Sequence, residues 1–182
     1  IKKIDYDNIT LLNTNGKVVI RNGKADLQGL SFNTLGGTVV MNGYYDSSNE
    51  TKPKLYYDLN VQNIVVKEAY KAFGTVRKLA PIAEKTEGKA SVKFDIAGTM
   101  KSGTEVDYNS LNGGGQLLSN SLKITRTETL NKVAQVVKIN AFKNPEVKDV
   151  KLTFGFMNGR VHVQPFDVKI GPVSANIFGS HG

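Results

Sequence analysis

Two histidines, a triple glycine and scattered acids are the residues of this chain that could do chemistry. His162 lies between Val161 and Val163, and His181 is next to last. Neither belongs to a His-x-x-x-His pattern, and the chain has no cysteine, so no metal-ligand spacing is present. In the alternating run "RVHV" His162 takes the polar side and reads as a solvated histidine. Gly113 to Gly115 lead into Gln116-Leu117-Leu118. A phosphate loop needs Gly-Lys-Ser/Thr opening a helix, so this run reads as a turn or a strand entry. No Gly-x-Ser-x-Gly elbow occurs, and the terminal "GSHG" reads as a turn. No pair of acids announces a glycosidase site. The expectation is a non-enzymatic chain with no catalytic residue, metal or cofactor; a hydrolase has no support in these residues.

Length and composition bound what can position any site. The chain has 182 residues with 18 glycines and five prolines, which suits one β-rich domain with many turns. Lys+Arg outnumber Asp+Glu by 24 to 16, a net charge of +8. The cations are spread along the chain and show no aromatic–basic motif, so nucleic acid is not an expected partner. No run reaches the roughly 20 apolar residues of a membrane-spanning helix. The chain opens Ile1-Lys2-Lys3 without methionine, which fits a fragment or processed form whose anchor or export signal lies upstream.

Periodicity divides the chain. Residues 1–62 read as a β-meander, with residues 4–21 as one long or two short strands and Val18 and Ile20 facing a core. Asn15-Gly16 suits a hairpin turn or a bulge, Asn22-Gly23 a hairpin turn, and Gly36-Gly37 the next turn. Val39 and Met41 follow, in a strand ending at Asn42-Gly43, and residues 46–53 form a polar loop. From 63 to 86 the period becomes helical through Val66, Ala69, Tyr70, Phe73, Val76, Leu79, Ala80 and Ala83, with Asn63 as cap and breaks at Gly74 and Pro81. Gly88 ends this insert. Residues 88–126 read as strands, 127–140 as a second helix capped by Thr127, and 148–182 as a closing β-unit. The expected fold is β-rich (α+β): a twisted antiparallel sheet or incomplete, open β-barrel with two helical inserts.

Two strands alternate most cleanly. Leu55, Tyr57, Leu59 and Val61 share one face of the first, and Ala90, Val92, Phe94 and Ile96 one face of the second. These eight are the candidate lining of an apolar groove, or equally of an ordinary closed core.

The closing unit has an echo. Asn22, Gly23, Gln28 and Gly43 recur 136 positions later as Asn158, Gly159, Gln164 and Gly179. Ala25 and Leu27 change parity at Leu30 and Phe32, as Val161 and Val163 do at Phe166, Val168 and Ile170. Such a phase change calls for a bulge in each copy.

Four segments in order, "NGKADLQGLSFNTLGGTVVMNGYYD", "VRKLAPIAEKTEGKASVKFDIAG", "NSLNGGGQLLSNSLKI" with "LNKVAQVVKI", and "NGRVHVQPFDVKIGPVSANIFGSHG", resemble the C-terminal periplasmic region of AsmA-family proteins, of the Bacteroidetes type. The resemblance covers nearly the whole chain. It implies a periplasmic module tethered to the inner membrane by an N-terminal anchor outside this chain. It implies a part in outer-membrane biogenesis, with phospholipid or another envelope lipid as partner. The alternative is a structural or protein-interaction module of the periplasm that binds no lipid.

Overall fold

The computed structural model describes residues 1–6, 9–101, 105–125, 132, 135–136 and 144–182. Ten strands follow one another in space as they do in sequence: β1 (Lys3–Tyr6), β2 (Ile9–Arg21), β3 (Lys24–Thr34), β4 (Gly37–Asp46), β5 (Lys54–Val65), β6 (Thr86–Thr99), β7 (Asn112–Ile124), β8 (Glu146–Met157), β9 (Arg160–Ile170) and β10 (Val173–His181). Each pairs antiparallel with its sequence neighbours. Among the described residues β1 and β10 do not pair with each other, so the sheet is open and not a barrel. Between β5 and β6 lie α1 (Val66–Ala72), α2 (Gly74–Leu79) and a 3₁₀ segment, Pro81–Lys85. A second 3₁₀ turn, Tyr108–Ser110, precedes β7.

The hairpins follow from residues that accept positive φ. Asn22 (φ 49°) and Gly23 (φ 76°) join β2 to β3; Asn158 (φ 53°) and Gly159 (φ 74°) join β8 to β9. Two successive positive φ values make the mirror-image turn that suits strand twist. The turn expected at Gly36-Gly37 sits one residue earlier, on Leu35 (φ 48°) and Gly36 (φ 77°). Gly37 is already in β4, where a Cβ would lie 2.1 Å from the Gln62 carbonyl oxygen of β5. β4 also runs past Asn42-Gly43 to Asp46, and the segment from residue 4 to 21 is two strands.

Bulges keep the apolar residues on one side. Asn15-Gly16 is a bulge within β2, where the register shifts twice. In β3 the shift lies between Leu27 and Leu30, around Gly29 (φ 57°), so Ala25, Leu27, Leu30 and Phe32 all face the same way. Asn63 is the third such device and not a helix cap. It lies inside β5 at φ 55°, with its N–H donated to Ser91 Oγ (3.1 Å) and the register shifting between Val61 and Ile64. α1 starts after Val65 with no side-chain cap. Gly88, expected to end the helical insert, lies within β6. The second helical insert, 127–140, falls outside the described residues except for Lys132, Gln135 and Val136, which are helical.

The echo is structural as well as sequential. Lys24–Thr34 and Gly37 onward map onto Arg160–Ile170 and Val173 onward, 136 positions later. Leu27 opposes Gly43 and Leu30 opposes Met41 across one bulge; Val163 opposes Gly179 and Phe166 opposes Ile177 across its counterpart. Asn13 in β2 and Asp149 in β8, also 136 apart, have φ 54° and 51°. The repeated unit is thus three strands, β2–β4 and β8–β10. Gly179 and His181 belong to strand β10, not to a terminal turn.

Two apolar clusters hold the sheet. Leu79, Ile96 and Leu111 are buried together, with Tyr57, Leu59, Phe94, Tyr108, Phe156 and Val161 packed around them. Val147, Val150, Val168 and Ile170 form the second. Of the helical stripe, only Leu79 and Ala83 are fully buried, and Phe73 is 39% exposed. Val18 and Ile20 do not face a core: they are 49% and 75% exposed, and among the described residues no layer covers the sheet at β2.

Candidate functional site: an apolar sheet face

The two strands singled out from their alternation are neighbours, and their apolar residues oppose one another. Tyr57 pairs with Ile96, Leu59 with Phe94, and Val61 with Val92; Leu55 meets Gly98, and the bulge at Asn63 brings Ile64 opposite Ala90. All eight candidates therefore lie on one face of β5 and β6. Leu55, Ala90 and Ile96 are buried, whereas Tyr57, Leu59, Val61, Val92 and Phe94 are half-buried.

The rows extend well beyond this pair. Leu30, Met41, Leu59, Phe94, Gly115, Phe154 and Val163 face one another in turn from β3 to β9. A parallel row runs Val18, Leu27, Gly43, Tyr57, Ile96, Gly113, Phe156, Val161. A third joins Val39, Val61, Val92, Leu117 and Leu152. The sheet thus presents a continuous apolar surface to which β2 through β9 contribute.

The triple glycine takes its meaning here. Gly113 and Gly115 occupy the apolar rows of β7, with aromatics on either side. Phe94 on β6 and Phe154 on β8 approach across Gly115 to 6.3 Å between ring centroids, and Phe154 and Phe156 stand edge to face at 5.3 Å. A Cβ on Gly115 would meet the Lys93 carbonyl oxygen at 2.2 Å and the Phe94 Cβ at 2.4 Å. The glycines let neighbouring strands come close and let the rings cover their backbone. Sequence alternation marks Phe154 and Phe156 as strand residues, but only the register shows that they share a surface with Leu59 and Phe94.

The insert covers part of this face. Leu79 from α2 and Leu111 ahead of β7 press on Ile96. Lys78 Nζ sits over the Tyr108 ring, 4.7 Å from its centroid, and so holds α2 to the segment before β7. Burial raises the Tyr57 phenol above the ordinary tyrosine range, with Tyr45 adding to the effect.

The opposite face is polar. Asp58 faces Asp95 directly, and Gly114, Gly155 and His162 continue the row. Asp58, Lys93, Asp95, Gly114 and Gln116 border a shallow depression of about 210 Å³. Sequence could not place these two acids together, because they are 37 positions apart. Among the described residues, no three His, Cys, Asp or Glu side chains are grouped to hold a metal ion. No described helix is long and apolar enough to cross a membrane.

Comparison with protein-family models, with curated proteins and with solved structures gives no match.

Proposed function

We propose that this chain is a non-enzymatic envelope module of the AsmA type, whose apolar sheet face binds or guides the acyl chains of phospholipid between membranes. The observation that carries the reading is the continuous face from Leu30 to Val163, five of whose eight central residues remain half-exposed to solvent. Each acyl methylene moved from water onto such a surface contributes about 0.8 kcal/mol when fully buried. The sequence resemblance supports the periplasmic setting, the inner-membrane tether and the link to outer-membrane biogenesis. The even net charge of +8 suits approach to anionic head groups.

A second reading, an interaction module with no lipid of its own, is favoured by the way Leu79 and Leu111 cover the centre of the face. Native mass spectrometry and lipid extraction of the purified chain separate the two. The lipid reading expects co-purifying phospholipid, lost in Phe94→Asp and in Leu59→Asp while circular dichroism stays that of a sheet. A folded wild type free of lipid, and unable to take up phospholipid from vesicles, sinks it.

A further inference from the structure

Among the described residues no strand pairs with the outer edge of β10, and that edge is built like one that is meant to be covered. Edge strands are ordinarily guarded by charge, proline or shortness. β1 is guarded: it has four residues, with Lys3 and Asp5 paired at 2.9 Å. β10 has nine residues, Val-Ser-Ala-Asn-Ile-Phe-Gly-Ser-His, with neither lysine, arginine, acid nor proline. Ile177 is 41% and Phe178 69% exposed.

The repeated unit says what fits there. β10 is the counterpart of β4, and β4 is covered on its second side by β5. Gly43 of β4 stands at φ 140°, and a Cβ there would lie 2.0 Å from the Tyr56 carbonyl oxygen of β5. Its counterpart Gly179 stands at φ 156°, yet a Cβ there would meet nothing within 4 Å. Both glycines hold a positive φ that favours glycine, and the repeat keeps that conformation, but among the described residues a further strand lies against it only beside β4.

We propose that the free edge of β10 is a strand-docking site for an extended polypeptide of β5-like pattern, apolar at alternate positions and antiparallel to β10. The register follows from the β4–β5 pairing. Gly179 faces the position of Tyr57, Ile177 that of Leu59, and Ala175 that of Val61, which continues the apolar rows by one strand. The mode is β-augmentation, with backbone hydrogen bonds supplying affinity and alternate side chains supplying register. It does not depend on lipid binding.

The hairpin joining β9 and β10 has two turn residues, and Ile170 opposes Val173 beside it. In such hairpins that flanking pair is hydrogen-bonded, so Ser174, Asn176 and Phe178 direct their N–H groups to the free edge. The test uses a synthetic peptide of residues 54–65 added to the whole chain, with amide hydrogen exchange read by NMR. Docking slows exchange at residues 174–180 by about tenfold or more at saturation. A control peptide with the apolar residues moved by one position does not do so. Phe178→Pro, which removes an outward N–H, weakens binding by about tenfold or more with β9 exchange unchanged. No protection at β10, or wild-type affinity in Phe178→Pro, overturns the proposal. A concentration-dependent dimer joined through β10 and abolished by Phe178→Pro overturns the choice of occupant.

Discussion

At the scale of single residues, glycine placement governs how closely strands can lie. Gly115 has no positive-φ requirement; what excludes a side chain there is the Lys93 carbonyl oxygen and the Phe94 Cβ. Gly115→Ala therefore forces β6 and β7 apart and is expected to cost about 1–3 kcal/mol, as overpacking does. In a chain of this length each kcal/mol lowers Tm by about 2–4 °C, which thermal unfolding by circular dichroism will show. A Tm equal to wild type would mean that the strands yield freely. Tyr57 supplies the pH dependence. Its folded pKa is raised by burial, so the fold prefers the neutral phenol. Its contribution is complete below the unfolded tyrosine pKa of about 10, and is lost as pH rises above that value. Alkaline difference titration of wild type against Tyr57→Phe should show one phenol ionising above the ordinary range, and the variant should lose less stability above pH ~10.

At the scale of elements, the bulges and the insert do separate work. Asn13, Gly29 and Asn63 stand at register shifts with positive φ, and so let long strands keep their apolar residues on one side. The insert of α1, α2 and the following 3₁₀ segment supplies Leu79 as the main contact with the face. Leu79 is 6% exposed, so Leu79→Ala removes a buried side chain at an expected cost of about 2–5 kcal/mol. It should also uncover Ile96 and Tyr57, raising the binding of an environment-sensitive hydrophobic dye to the folded chain. Unchanged stability with unchanged dye binding would show that α2 is not a cover. Sequence periodicity located this insert within a few residues, but it assigned Asn63 to the helix as a cap. The asparagine has the same αL tolerance in either role; only its partner Ser91, 28 positions later, decides between them.

At the scale of the whole molecule, an open meander of ten strands has one apolar face, partly covered, and two unlike edges. The eight alternating residues of β5 and β6 were legible because a period of two is local. Their union with Phe154, Phe156 and Val163 was not, since register across five strands is a long-range property. The exposure of Val18 and Ile20 belongs to the same class: alternation says that a face is apolar, not that anything lies over it. The lipid experiment and the β10 docking experiment both operate at this scale, and they use different surfaces.

What the sequence determined by itself is the β-rich class, the Asn-Gly hairpins, the helical insert and the 136-residue echo, all of which are written in short-range pattern and residue type. The tertiary structure alone decided that the strands pair in simple order, that the triple glycine sits between aromatics, and that the sheet stays open. It also showed that Gly179 keeps the conformation of Gly43 with no strand on its outer side among the described residues. The reason is physical: backbone preference and periodicity act over a few residues, whereas burial and edge pairing depend on which distant segment arrives alongside.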